Sequence, residues 1–282
     1  MKIGIQLRVG PKYWLDIAQA AEQAGFESAW IPEHLIMPVV MTGKPGTAHE
    51  GEPPISPDTP AWDPWMEIAY LAGQTKTLRF GTNVFNIGLR HPFITARALT
   101  TADLISNGRI EFGIGASWLA EEWEAMQLPF ETRGKRVNES IQIIKRLFTE
   151  EVIEHDGEFF KFQPVKFQPK PVQPGGPKFH IGGDSPAAMR RAAQLADGWL
   201  PMAQTPESLP ANMAKIAAMR AEAGRDGPFE ITVYSLDSSA VDDLKRYEQM
   251  GVDRVLVVPW RSAKDGVEIL KRFGDVVLPQ FV

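Results

Sequence analysis

The sequence predicts a parallel α/β fold, a closed (β/α)8 barrel with insertions that occupies residues 1–282 as one domain. Two observations predict it. Eight strand-like segments alternate with amphipathic helical patterns, which is the signature of a parallel sheet with helical crossovers. The chain has 282 residues, a length into which eight such units fit better as a closed barrel than as an open, doubly wound sheet.

Lys2 to Leu7 and Ser28 to Pro32 form the first two predicted strands. Between them Trp14, Ile17, Ala18 and Ala21 fall at helical spacing, and Gly25 closes the helix. The stretch from Met37 to Pro64 is too rich in glycine and proline for a regular element. It follows the second strand, and Trp62 and Trp65 at its end suit a lid over the barrel mouth better than a solvated loop. Arg79 to Phe85 and Arg109 to Gly115 are the third and fourth strands, followed by a helix carrying Val137, Ile141, Ile144 and Phe148 on one face. Residues Glu151 to Pro177 are a second insertion, where Asp156-Gly157 between β-prone residues predicts a hairpin outside the barrel. Lys178 to Gly182, Gly198 to Met202, Glu230 to Ser235 and Arg254 to Pro259 complete the eight.

Composition narrows the partners. Hydrophobic residues make up 44% and charged residues 23%, an ordinary soluble composition with material for a large core. The formal charge of −5 arises from interspersed acids and bases, which argues against nucleic acid and against a membrane surface and favours a small-molecule substrate. No cysteine is present, which excludes disulfides, thiolate metal sites and a cysteine nucleophile. The five histidines are scattered without ligand spacing, so no metal is expected. The start in MKIGIQL reads as a strand, not a charged leader, and implies a cytoplasmic protein.

The chemistry is expected at the C-terminal strand ends. Glu33 and His34 place an acid beside an imidazole at the end of the second strand, where His34 suits catalysis or cofactor contact and Glu33 could orient it. The third strand ends in Gly81-Thr82-Asn83-Val84-Phe85-Asn86, whose polar groups need partners. Gly113, Gly115 and Ala116 at the fourth strand either let a flat ligand approach the backbone or make room for a bulky neighbour across the core. Gly182 and Gly183, followed by Ser185 as helix cap and Pro186 at the first helical position, read as a phosphate cradle or as an ordinary strand-to-helix turn.

Five ordered stretches carry a resemblance: AAEQAGFESAWIPEHL, LRFGTNVFNIGLRHP, NGRIEFGIGASWLAEEW, RGKRVNESIQIIKRLF and IGGDSPAAMRRAAQLADGW. Over nearly its full length the chain resembles the luciferase-like superfamily, in particular the branch that uses the deazaflavin coenzyme F420. The resemblance implies a TIM barrel, a homodimer, and hydride transfer between F420 and a small organic substrate. It implies His34 as the acid-base residue with Glu33 beside it, and Asn83-Val84 as a pair that in many members is joined by a non-prolyl cis peptide backing the cofactor ring. It further implies Gly113, Gly115 and Ala116 beside the cofactor, and Gly182 and Gly183 at its phosphate. Trp118 stands where the sugar-phosphate dehydrogenases of the superfamily carry a glutamate. With Trp62 and Trp199 it would form an aromatic pocket for a hydrophobic or planar substrate. The FMN-dependent luciferases carry an arginine in the fourth-strand loop where this chain has Gly115-Ala116-Ser117, which favours F420 over FMN. An FMN-dependent monooxygenase and a non-catalytic barrel that binds a flavin or deazaflavin are the alternatives.

Overall fold

The computed structural model describes residues 1–43, 55–202, 204–235 and 241–281. Its strands are β1 (Lys2–Gln6), β2 (Ser28–Ile31), β3 (Arg79–Thr82), β4 (Phe85–Asn86), β5 (Ile110–Gly115), β6 (Ile153–Asp156), β7 (Lys161–Val165), β8 (Lys178–Gly182), β9 (Gly198–Leu200), β10 (Glu230–Tyr234) and β11 (Arg254–Val257). The helices are α1 (Pro11–Ala24), α2 (Pro64–Ala72), α3 (Pro92–Ser106), α4 (Ala120–Ala125), α5 (Arg133–Thr149), α6 (Pro186–Leu195), α7 (Leu209–Glu222), α8 (Val241–Gln249) and α9 (Gly266–Val276).

All pairings within the main sheet are parallel, in the order β3-β2-β1-β11-β10-β9-β8-β5-β4, and a further β3–β5 pairing closes it into a barrel. The predicted third strand is divided: β3 ends at Thr82, a cis peptide joins Asn83 to Val84, and β4 resumes pairing with β5 at Phe85↔Ile114. The barrel therefore has eight staves, one of them interrupted at the mouth.

Side-chain alternation divides the core. Ile3, Ile5, Ala29, Phe80, Phe112, Phe179, Ile181 and Val255 are buried in one large cluster with helix residues such as Ile17, Ile68, Leu99, Val137 and Ile144. The opposite faces of the same strands fill the barrel, where Trp30, Leu200 and Leu256 form the apolar middle. Helix α1 ends as its sequence predicts, on Gly25 at φ 92°, a left-handed turn that glycine makes without a steric penalty.

Below that middle the barrel floor is ionic. His180 is fully buried and meets Glu111 at 2.8 Å, while Arg254, also fully buried, contacts Glu27 at 2.8 Å and Glu230 at 3.3 Å. Arg79 lies 2.8 Å from Glu111, and Lys178 caps Glu230. Burial alone would push Glu111 upward, but the His180 hydrogen bond and the charges of Arg254 and Arg79 outweigh it and hold its carboxyl well below the usual range. The sequence reading missed this acid-histidine cluster, because Glu111, His180 and Glu230 meet only through the barrel; their possible ligand atoms lie within 4.8 Å of one another. Two guanidinium groups and an ammonium already neutralise these acids, so the arrangement is an ion-pair network.

The expected hairpin is present: β6 and β7 pair antiparallel around the Asp156-Gly157 turn. Glu139 on α5 ties it down by accepting the Phe159 and Phe160 N–H groups and meeting His155 at 3.0 Å. Among the described residues no helix is long and apolar enough to cross a membrane.

Candidate active site

The C-terminal ends of the strands gather most of the residues singled out from sequence. His34 follows β2, and its side chain is 14% exposed. Its Nδ1 is buried without a hydrogen-bond partner and faces Glu122 Oε2 at 3.5 Å. The ring also packs edge-on against Trp118, with centroids 5.7 Å apart and an interplanar angle of 84°.

Glu33 does not share that position. It is 5% exposed, and its carboxylate accepts Asn86 N–H at 2.9 Å and pairs with Arg90 at 2.7 Å. Burial pushes its carboxyl above the ordinary value despite the opposing charge of Arg90. Both oxygens are committed, so Glu33 does not orient His34 as expected: it braces the chain beyond the Asn83-Val84 peptide against β2.

Val84 is the wedge of the site. A Cβ on Gly115 would come within 2.6 Å of one Val84 methyl, and a Cβ on Gly182 within 2.7 Å of the other. These two glycines exist so that the Val84 side chain can sit between the ends of β5 and β8. Gly113 has another cause, and the cofactor-contacting expectation for it is corrected here: its Cβ would collide with the Thr82 carbonyl and crowd Leu200, so it is a barrel-packing glycine. Ala116 is half-buried and packs against the core cluster.

The turn after β8 forms as its sequence predicts. Gly183 has φ 109°, Ser185 caps α6 by accepting Ala188 N–H at 3.2 Å, and Pro186 occupies the first helical turn. Asp184 accepts Met202 N–H at 3.1 Å, which ties the turn to the chain after β9.

The three tryptophans separate. Trp118 stands at His34, and a Cβ on Gly43 would lie 2.8 Å from its carbonyl, so the loop after β2 packs against it. Trp62 is 42% exposed and packs edge-on against Trp14 near the start of α1, with centroids 5.9 Å apart. Trp199 is fully buried, which corrects its assignment to the pocket. Its neighbours Gly198 and Leu200 face the barrel interior, so alternation turns Trp199 toward the helices, and its indole N–H donates to Gly183 O at 2.9 Å. It supports the turn from behind. Residues 44–54, the centre of the expected lid, lie outside the described residues; its flank is fixed by Thr42, whose N–H and hydroxyl both donate to Glu121.

Two site residues escaped sequence reasoning. Gln6, at the end of β1, is 6% exposed with Oε1 unpartnered; a polar residue closing the apolar run IGIQL is a signal that could have found it. Glu122 lies in AEEWEA, an ordinary helical stretch, and only the fold brings it to His34. With Asn83 Oδ1, also buried and unpartnered, Gln6 leaves two polar oxygens unsatisfied at the strand ends among the described residues. Buried polar atoms are seldom left so, and these fit a planar ligand with its own hydrogen-bonding edge. The arrangement can seat such a ligand on Val84 and offer one imidazole for proton transfer.

Residues 4–257 match the model of the luciferase-like monooxygenase family, and the chain belongs to that family, whose members are oxidoreductases or monooxygenases. An uncharacterised Mycobacterium tuberculosis protein is 35% identical over 256 residues, covering 90% of this chain and 88% of that one. The 5,10-methylenetetrahydromethanopterin reductase of Archaeoglobus fulgidus is 30% identical over 277 residues, covering 97% of this chain and 74% of the reductase. An F420-dependent secondary alcohol dehydrogenase, solved with an F420-acetone adduct, superposes with a TM-score of 0.80 over 99% of this chain and 98% of that one. At 17% identity that last likeness speaks for the fold alone.

Proposed function

We infer that the protein is an F420-dependent oxidoreductase acting on a small organic substrate at the C-terminal face of the barrel. The observation that carries the reading is the Val84 wedge between Gly115 and Gly182, flanked by His34 and by the unpartnered amide oxygens of Gln6 and Asn83. When bound, a deazaflavin supplies two-electron hydride chemistry. Val84, Gly115, Ala116 and Gly182 would back its ring, and Gly183 with the N-terminal end of α6 would receive its phosphate, where the helix dipole favours an anion. His34 would exchange the substrate's proton, since imidazole is suited to both directions near neutral pH. Trp118, half-buried at the His34 ring, supports an apolar or planar substrate. The family relation supports deazaflavin or flavin chemistry generally; the choice of F420 rests on Gly115-Ala116-Ser117, a fourth-strand loop without the arginine that would grip FMN.

The test is a fluorescence titration of the purified protein with oxidised F420 and, separately, with FMN. Tighter binding of F420 supports the reading. Tighter binding of FMN replaces it with the flavin-dependent monooxygenase, and binding of neither overturns both.

A further inference from the structure

We propose that Glu122 is a positioning residue that fixes the proton of neutral His34 on Nδ1 and leaves Nε2 as the proton acceptor. The inference deepens the role proposed for His34 and rests on that reading only for its consequence, not for its test.

The carboxylate is fully buried on α4, and its two oxygens have different duties. Oε1 accepts the backbone N–H groups of Leu35 at 2.7 Å and Ile36 at 3.4 Å, the residues that follow His34. Oε2 receives the Ser117 hydroxyl at 3.4 Å and faces His34 Nδ1 at 3.5 Å. One acid therefore joins the loop after β2 to the loop after β5 and presents its remaining acceptor capacity to the imidazole. The backbone contacts fix that acid in place, and Trp118 packs edge-on against the ring it faces.

The hydrogen-bonding inventory decides the tautomer. A carboxylate is an acceptor only, so a neutral imidazole beside it gains by carrying N–H on the facing nitrogen. Nδ1 is buried and has no other partner among the described residues. The ring's exposure falls on its other atoms, so the Nδ1–H tautomer leaves the Nε2 lone pair for a substrate proton. The 3.5 Å separation is longer than a full hydrogen bond, as catalytic contacts commonly are before a ligand binds.

Glu122→Gln inverts the arrangement without removing its anchor. The amide oxygen must serve Leu35 N–H, which turns the amide NH2 toward His34 Nδ1. A donor then faces the ring, Nδ1 becomes the acceptor, and the proton moves to Nε2.

The experiment is nitrogen-15 NMR of the ligand-free protein, labelled at histidine, at about pH 8.5, well above the ordinary histidine pKa. The His34 signals are assigned as those absent from a His34→Asn variant. The expected result is protonated Nδ1 and unprotonated Nε2 in the unaltered protein, with the reverse in Glu122→Gln. A protonated Nε2 in the unaltered protein overturns the proposal, whether or not the variant folds. Reversal in the variant, with a circular dichroism spectrum matching the parent's, supports positioning over a structural role, and Nδ1–H retained in a folded variant overturns the proposal. Because the measurement needs neither cofactor nor substrate, a protein that fails to bind F420 yet carries Nδ1–H on His34 loses the proposed function and keeps this inference.

Discussion

Glu67→Gln is predicted to stabilise the protein, by an amount that grows with pH. Glu67 lies in the first turn of α2, is 1% exposed, and its Oε1 has no hydrogen-bond partner. Among the described residues no cation offsets its burial, which pushes the carboxyl from the ordinary 4.5 up to about 8. The folded protein therefore holds this proton at neutral pH, whereas the unfolded chain releases it above about 4.5. Below the unfolded value both states are protonated and the residue contributes nothing. Between the two values the unfolded state gains, at about 1.4 kcal/mol per pH unit, and above about 8 the loss of stability is complete. At pH 7 this comes to about 3 kcal/mol, reduced by up to about 1 kcal/mol because a helix N-terminus favours the anion.

Glutamine copies the shape of the protonated acid and cannot ionise. Thermal unfolding of parent and variant at pH 5, 6, 7 and 8 reads the difference directly. The expected gap is small at pH 5 and widens to roughly 5 °C at pH 7, taking about 2 °C per kcal/mol for a chain of this size. A gap that stays constant with pH would refute the reasoning, because only an ionisation confined to the unfolded state produces the slope.

His34→Ala is expected to lower turnover by about 10²-fold or more while changing the F420 dissociation constant little, since general acid-base catalysis is worth that much; single-turnover kinetics beside a binding titration separate the two. Gly183→Val is expected to raise the F420 dissociation constant, because the position has φ 109° and its Cβ would crowd Ala188 at 3.3 Å, with circular dichroism confirming the fold. Glu111→Gln is expected to destabilise by about 3 kcal/mol or more, since it takes a charge from beside fully buried Arg254 and half-buried Arg79; equal chemical denaturation midpoints would show the network to be dispensable.

The barrel was legible because its signals are local. Alternating strands, the helix stripe of Val137, Ile141, Ile144 and Phe148, the Gly25 stop and the Ser185-Pro186 start each depend on residues close in sequence. The placement of the candidate site was legible where a strand end carries its own polar groups, since His34 and Asn83 both stand at the barrel mouth. It was illegible where function depends on what lies opposite. Gly113 and Gly115 are two residues apart and identical in type, yet one makes room for the Thr82 carbonyl and the other for Val84. Trp199 could be turned outward only by knowing which face of β9 meets the interior. Glu33 looked reactive because Arg90, its partner 57 positions away, has no mark in sequence.

The two polar ends of the barrel differ in a way that separates stability from function. On the floor, Glu27, Glu111 and Glu230 are each paired with a cation, and among the described residues His180 Nδ1 has no hydrogen-bond partner. At the mouth, Gln6 Oε1 and Asn83 Oδ1 are both buried and unpartnered among the described residues. Each such atom costs about 1–3 kcal/mol in a closed interior, a cost the floor largely avoids with the same backbone. A ligand that satisfies these atoms recovers that free energy on binding, so the atoms that cost stability also let the mouth select its occupant. Replacing Gln6 by Leu is accordingly expected to raise the melting temperature of the ligand-free protein and to weaken F420 binding. A variant stabilised without loss of affinity would show that Gln6 does not meet the cofactor.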